Sequence, residues 1–142
     1  MIYLERLRPA HVTEVHLQPA QQLVQAVLSP GYAEQLVAQP GVAWAALLDG
    51  QTLACAGMTE VGPQRAIAWA LFSEAALRHF GPIHRATRQI LAEAPWRRVE
   101  MAVDARHAAA IRWAERLGFV REGLMRAYTA DGRDCFLYAR VK

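Results

Sequence analysis

The sequence predicts a mixed α+β domain, a mostly antiparallel sheet of about seven strands flanked by helices and closed by a C-terminal β-hairpin. Three observations carry that prediction. Val42–Leu48, Thr52–Thr59 and Ala66–Phe72 are apolar β-type runs linked by Asp49-Gly50 and Gly62-Pro63, turn residues that join antiparallel neighbours. Arg97–Val141 reads as strand, helix, strand, turn, strand. Between these blocks and near the N-terminus, apolar residues recur at three and four, the period of helices that cover a sheet.

A chain of 142 residues is long enough to bury one core without staples, so a single domain spanning 1–142 is expected. Hydrophobic residues at 54% and charged residues at 20% exclude a disordered chain. No apolar run approaches the roughly 20 residues that span a bilayer, and MIYLERLRP lacks the apolar centre of a signal peptide. No membrane partner and a cytoplasmic location are therefore expected. The net charge of +3 accommodates an anionic ligand or a plain solvated surface equally. Nucleic acid is disfavoured, because Arg78, Arg85 and Arg88 make only a modest basic cluster while the Trp and Tyr residues are scattered along the chain. Cys55 and Cys135 lie in strand-like runs and read as reduced, buried thiols. No metal site is expected, since no Cys or His pair has ligand spacing.

Taken in order, Ile2–Leu7 forms a strand ended by Arg8-Pro9. A helical stretch follows through Val12, Val15 and Leu17, then through Leu23, Val24, Val27 and Leu28 beyond Pro19. Ser29-Pro30-Gly31 breaks it, and Tyr32–Ala38 is a short second helix closed by Pro40-Gly41. After the three-strand meander, Gly81-Pro82 opens a helix over Ile83–Ala94. Val99–Val103 alternates as a strand, and Asp104 is placed to N-cap the helix Arg106–Leu117. In that helix Ala110, Ile111, Ala114 and Leu117 share the apolar face, opposite Arg112, Glu115 and Arg116. Gly118 ends it in the left-handed conformation. Phe119–Thr129 and Asp134–Val141 then pair through a tight Asp131-Gly132 turn.

The ordered set Ala110-x-x-x-Ala114-Glu115-Arg116-Leu117-Gly118-Phe119, Glu122-Gly123, Asp131-Gly132, Asp134 and Tyr138 resembles the C-terminal half of the GNAT acyltransferases. These are acetyl-CoA-dependent N-acetyltransferases, and the Leu-Gly-Phe with Glu-Gly is similar to the branch that modifies protein amino termini. The resemblance implies a sheet that splays where the fourth and fifth strands meet, with exposed strand backbone receiving the pantetheine arm. It implies acetyl-CoA as cosubstrate and an amine-bearing acceptor, a small molecule or a protein N-terminus, with the chain a monomer or homodimer. Trp113-Ala114-Glu115 also resembles small GNAT-like proteins of tailed phages, some of them virion components. A catalytically degenerate binding or structural protein is the alternative that this second resemblance implies.

Carried onto this chain, the family's cofactor loop falls between Phe72 and the helix at Ile83. Arg78-His79-Phe80-Gly81-Pro82-Ile83 supplies an Arg-x-x-Gly half-signature, whose amides would cradle a pyrophosphate at a helix start. Pro82 removes one amide, and Ile83 stands where the family has Gly or Ala. The cofactor-binding candidates are Leu71, Phe72, Arg78, His79, Phe80, Gly81, Pro82, Ile83, Arg85, His107 and Ala110. The family's usual acid, a Tyr on the last helix, falls on Ala114. Glu60 and Glu74 are candidate bases acting through water, and Tyr128, with Tyr138 beside it on the hairpin, is a candidate replacement acid.

Overall fold

The computed structural model describes residues 1–21 and 29–142. Along the chain run β1 (Ile2–Arg6), α1 (Pro9–Glu14), a 3₁₀ turn (Pro19–Gln21), α2 (Pro30–Ala38), β2 (Gly41–Leu48), β3 (Gln51–Gly62) and β4 (Arg65–Phe72). They are followed by α3 (Glu74–Arg78), α4 (Phe80–Glu93), β5 (Arg98–Asp104), α5 (Ala108–Arg116), β6 (Val120–Met125) and β7 (Cys135–Val141). The strands form one open seven-stranded sheet in the order β1-β2-β3-β4-β5-β7-β6. β1 with β2, β2 with β3, β5 with β7 and β6 with β7 pair antiparallel, and β4 pairs with β5 in parallel. The expected fold class is the observed one. The chain divides into two compact units, Met1–Glu60 with Trp69–Glu93, and Val61–Ala68 with Ala94–Lys142.

In the first unit β1 and β2 pair from Ile2↔Leu48 to Arg6↔Trp44. The turn between β2 and β3 uses Asp49 at φ 51° and Gly50 at φ 79°, the doubly left-handed pair that an Asp-Gly hairpin needs. One residue of β3, Leu53, is bulged, since Ala46 pairs with Ala54 while Leu47 pairs with Thr52. Its carbonyl accepts from the Ser73 amide at 3.0 Å and so ties β3 to the end of β4. Gly57 on β3 leaves room for the Trp69 ring of β4, because a Cβ there would stand 2.8 Å from it. The core of the unit is Leu7, Val12, Val15, Leu17, Ala33, Ala45, Leu47, Cys55 and Leu71, with Trp69 packed against it.

The N-terminal helices differ from expectation in extent. The apolar series Val12, Val15 and Leu17 is helical only to Glu14, and the predicted continuation through Leu23–Leu28 lies outside the described residues. Ser29-Pro30-Gly31 starts α2 instead of merely separating two helices: the Ser29 hydroxyl accepts from the Tyr32 amide at 3.2 Å, and Pro30 stands in the first turn, where no amide is missed. At the other end of the meander β3 continues to Gly62, and Gln64 at φ 64° takes the turn expected of Gly62-Pro63. Among the described residues no helix is long and apolar enough to cross a membrane.

In the second unit β5 pairs with β7 along its whole length, Arg98↔Val141 to Asp104↔Cys135. Arg65–Ile67 of β4 pair in parallel with Arg98–Glu100. Glu100 accepts from Arg65 Nε at 2.8 Å and from Arg98 Nε at 2.9 Å, and Arg98 also forks onto Glu122 at 2.6 and 3.1 Å. The Arg65 bond, then Arg98, holds the Glu100 carboxyl below its usual range. Helix α5 ends as predicted: Gly118 at φ 94° donates to Glu115 O at 3.1 Å and Phe119 N to Ala114 O at 3.0 Å, the double closure of a left-handed cap. Its start is different. His107, not Asp104, occupies the N-cap, because Asp104 completes β5 and turns the chain by accepting from Arg106 N at 2.9 Å.

The hairpin is also wider than a two-residue Asp131-Gly132 turn. β6 stops at Met125 opposite Cys135, leaving residues 126–134 as the connection. Ala127 turns to φ 49° and gives its amide to Asp134 Oδ1 at 2.8 Å, which ends the extended run. Gly132, at φ 83°, closes a turn by donating to Thr129 O at 2.9 Å.

Candidate functional site

The expected cofactor segment is more ordered than a loop. α3 fills Glu74–Arg78, its start capped by the Ser73 hydroxyl, which accepts from Ala76 N at 3.1 Å. The longer α4 begins at Phe80, so Gly81, Pro82 and Ile83 all lie in its first turn. Gly81 and Pro82 are exposed there. Arg85 lays its guanidinium over Gly81, 3.5 Å from where a Cβ would be, and Arg78 is exposed at the end of α3. The Phe80 and His84 rings stack at 5.7 Å across the first turn, and His79 caps α3 through its amide to Ala76 O. A helix start with exposed peptide groups and two guanidinium groups is suited to an anion.

Ile83 faces inward. Its side chain is 2% exposed, and its carbonyl accepts from Thr87 Oγ1 at 2.8 Å. It therefore packs on the inner face of α4, and the exposed start is left to Gly81 and Pro82. Leu71 and Phe72 are likewise buried at the end of β4, which leaves only their main chain to meet a ligand.

The edge of β4 carries a contact that the sequence does not announce. Because Ser73 N turns toward β3, strand alternation turns the Ala70 carbonyl and the Phe72 amide to the opposite edge. Gln21 closes on both: its Nε2 donates to Ala70 O at 2.9 Å, and its Oε1 accepts from Phe72 N at 2.8 Å. Only one orientation of the amide satisfies both partners, so its assignment is unambiguous. Buried Gln18 braces it, Nε2 to Gln21 Oε1 at 3.3 Å, and Gln18 N donates to Phe72 O at 2.8 Å. The partners lie some fifty positions apart in the chain, |i−j| 49 and 51, so no local pattern could reveal them.

In the second unit His107 is half-buried at the start of α5, and burial lowers its pKa, with Asp104 opposing in part. The ring is thus held toward its neutral form. Ala110 is half-buried one turn further on. Ala114 is fully buried, and a Tyr side chain there would overpack the helix against its neighbours.

The catalytic candidates occupy three elements. Glu60 is exposed within β3, its amide donating to Pro40 O at 2.8 Å, and Glu74 is exposed in the first turn of α3, where the helix dipole favours its charge. Tyr128 lies in the 126–134 connection and is 57% exposed. Tyr138 is excluded as a ready acid: it is completely buried, its hydroxyl donates to Glu115 Oε2 at 2.9 Å and accepts from Arg121 Nε at 3.1 Å. Arg121 itself lies 3.7 Å over the Phe136 ring. Both cysteines are free and buried. Burial, then Glu14, pushes the Cys55 thiol up to about 12, and burial, then Asp104, raises that of Cys135, so neither is a nucleophile at neutral pH. Among the described residues no group of three His, Cys, Asp or Glu side chains is placed to hold a metal ion.

The architecture is shared with solved acetyltransferase structures over nearly the whole chain. Ard1 from Thermoplasma volcanium matches with a TM-score of 0.82 at 16% identity, covering 99% of this chain and 97% of that one. The ribosomal-protein-S18-alanine N-acetyltransferase from Escherichia coli matches with 0.74 at 21% identity, covering 99% and 94%. An acetyltransferase of the GNAT family from Streptococcus pneumoniae matches with 0.73 at 14% identity, covering 99% of each. No protein-family model matches the sequence, and no curated protein does either. At these identities the likeness defines the fold: it is that of the GNAT acetyltransferases.

Proposed function

We propose that this chain is an acetyl-CoA-dependent N-acetyltransferase acting on a primary amine. The observation that carries the reading is the match of nearly the entire chain to N-acetyltransferase structures, with an exposed helix start bearing Arg78 and Arg85 after β4. In this reading Gly81 and the remaining first-turn amides of α4 hold the donor's phosphates, with charge-assisted bonds from Arg78 and Arg85. Pro82 offers no amide, so the cradle is one donor short of a glycine-rich loop. The donor's arm, which carries amides, pairs with the main chain of β4 near Ala70–Phe72.

Transfer needs a neutral amine to attack the thioester carbonyl, a donor to the oxygen as it gains charge, and a proton for the departing thiolate. Glu60 or Glu74 takes the amine's proton through water, and Tyr128 or water protonates the thiolate. No covalent acyl-enzyme forms, consistent with two buried and protonated cysteines. The acceptor is a small amine or a protein amino terminus; one structural neighbour is named for a ribosomal-protein alanine. The reaction belongs in the cytoplasm, where the donor is made, with the chain a monomer or homodimer.

A second reading is favoured by one set of observations. Ala114 is buried where the family's acid would stand, and the Tyr138 hydroxyl is bound between Glu115 and Arg121. A chain with that arrangement could keep the ligand site and lack turnover, as a binding protein or a phage virion component. Calorimetry with acetyl-CoA, followed by a thiol-release assay with spermidine and with peptides bearing a free amino terminus, separates the two. Binding with turnover supports the enzyme, and binding without turnover supports the second reading. No binding at millimolar acetyl-CoA rejects both.

A further inference from the structure

Strand main chain that is not paired with a neighbouring strand is a ready partner for any extended amide. At Ala70–Phe72 that partner is supplied from within the molecule. The Gln21 carboxamide presents one donor and one acceptor, and both are satisfied as a peptide group would satisfy them, at 2.9 and 2.8 Å. The adjacent 17–18 backbone continues the mimicry, since Leu17 bridges Ser73 in antiparallel fashion and Gln18 N donates to Phe72 O. Gln21 is a half-buried side chain on a single 3₁₀ turn, held in place by its own turn bond to Gln18 O at 2.9 Å.

We propose that Gln21 is a displaceable plug: its carboxamide occupies the main-chain amide site on β4, and an amide-bearing donor arm binds there only when Gln21 swings away. The inference rests on the acetyl-CoA reading and deepens it, by naming the residue that sets how much of the protein is competent to bind. Displacement exchanges two hydrogen bonds for two of the same kind, so the swap is close to neutral in bonds. The ligand nevertheless binds only the open fraction, and its apparent affinity falls by that fraction. A side chain that cannot hold the site raises the open fraction and tightens the ligand. The nucleotide part of the donor makes no amide pairing and is indifferent to the plug.

The test uses Gln21→Met, which keeps length and packing but removes both amide groups. Acetyl-CoA and the adenosine bisphosphate nucleotide that lacks the arm are titrated into wild type and variant by calorimetry. Acetyl-CoA should tighten about tenfold, the scale of one or two hydrogen bonds, while the nucleotide is unchanged. Gln21→Glu is the second variant, with a carboxylate oxygen facing Ala70 O, and it should tighten acetyl-CoA too. In the wild-type protein, labelled Gln21 side-chain amide signals should lose protection from exchange on adding acetyl-CoA and keep it with the nucleotide. Equal acetyl-CoA affinity in wild type and folded variants, or tightening of both ligands alike, overturns the plug while leaving the proposed function standing. Gln21 signals that stay protected at saturating acetyl-CoA overturn it as well. No binding of either ligand to any form overturns the proposed function, and the plug with it.

Discussion

Two sets of arginines, Arg78 and Arg85 in the first unit and Arg98, Arg121 and Arg133 in the second, are used in opposite ways. Arg78 and Arg85, beside the start of α4, make no ion pair among the described residues. In the second unit Arg98 is held by Glu100 and Glu122, Arg121 by the Tyr138 hydroxyl and Glu115, and Arg133 by Asp104 and Asp131. A guanidinium already bonded to carboxylates has little left for a ligand, since each donor can serve one good acceptor at a time. Arg98, Arg121 and Arg133 therefore fix β5, β6, β7 and the 126–134 connection. Arg78 and Arg85 remain available to an outside anion. Counting basic residues does not separate these roles; their partners do.

The comparison breaks most visibly at Tyr138. Tyr138→Ala empties a fully buried aromatic site and frees Arg121 and Glu115, so about 3–5 kcal/mol of stability should be lost in chemical denaturation. Tyr138→Phe keeps the ring and should cost about 1–2 kcal/mol. If the Phe variant instead kept its stability and lost acetyl transfer, the hydroxyl would be catalytic and the division between the units would fail.

The first unit should respond the other way. Arg78→Ala and Arg85→Ala each should leave unfolding within about 0.5 kcal/mol of wild type, as exposed side chains do. Each should weaken acetyl-CoA about tenfold, the scale of one charge-assisted bond. Arg98→Ala is the counterpart, expected to lose about 1–2 kcal/mol, discounted for partial exposure, and to leave acetyl-CoA affinity alone. Calorimetry and denaturation of the three variants together decide whether the sets are truly separate.

Much of the fold was legible in the sequence because its signals are local. Asp49-Gly50, the Leu117-Gly118-Phe119 cap and the alternation in Val99–Val103 each specify their own geometry within a few residues. The extents that shifted were set by partners elsewhere. β6 ends early because Asp134 takes the Ala127 amide, and Asp104 is absorbed into β5 by its pairing with Cys135. The candidate site was less legible for the same reason. Local order marks Gly81, Arg78 and Arg85 as candidates, but a helix start does not say which residue of its first turn faces inward, as Ile83 does. Gln21 was missed altogether, its two bonds to β4 having no counterpart in any motif.

The smallest expected effect sharpens the comparison at His107, the one titratable cofactor candidate in the second unit whose pKa is displaced. Burial, opposed in part by Asp104, lowers it from the ordinary value of 6.5. The native state thus favours the neutral ring, and between the two values the unfolded chain binds more protons. Stability is then full above pH 6.5, declines as pH falls below it, and levels off once the folded ring is also protonated. Glu100, Glu122 and Asp131 have lowered values, and their contribution is lost only as pH falls below the carboxylate range, near 4.5 and lower, so the two windows are distinct. His107→Gln should flatten the shallow slope just below pH 6.5 and leave the acid limb untouched, as read by thermal melts across pH. A slope that persists in the variant would assign it to another group. A slope of opposite sign in wild type would mean that Asp104 outweighs burial and that the ring is held protonated, ready for a phosphate instead of neutral.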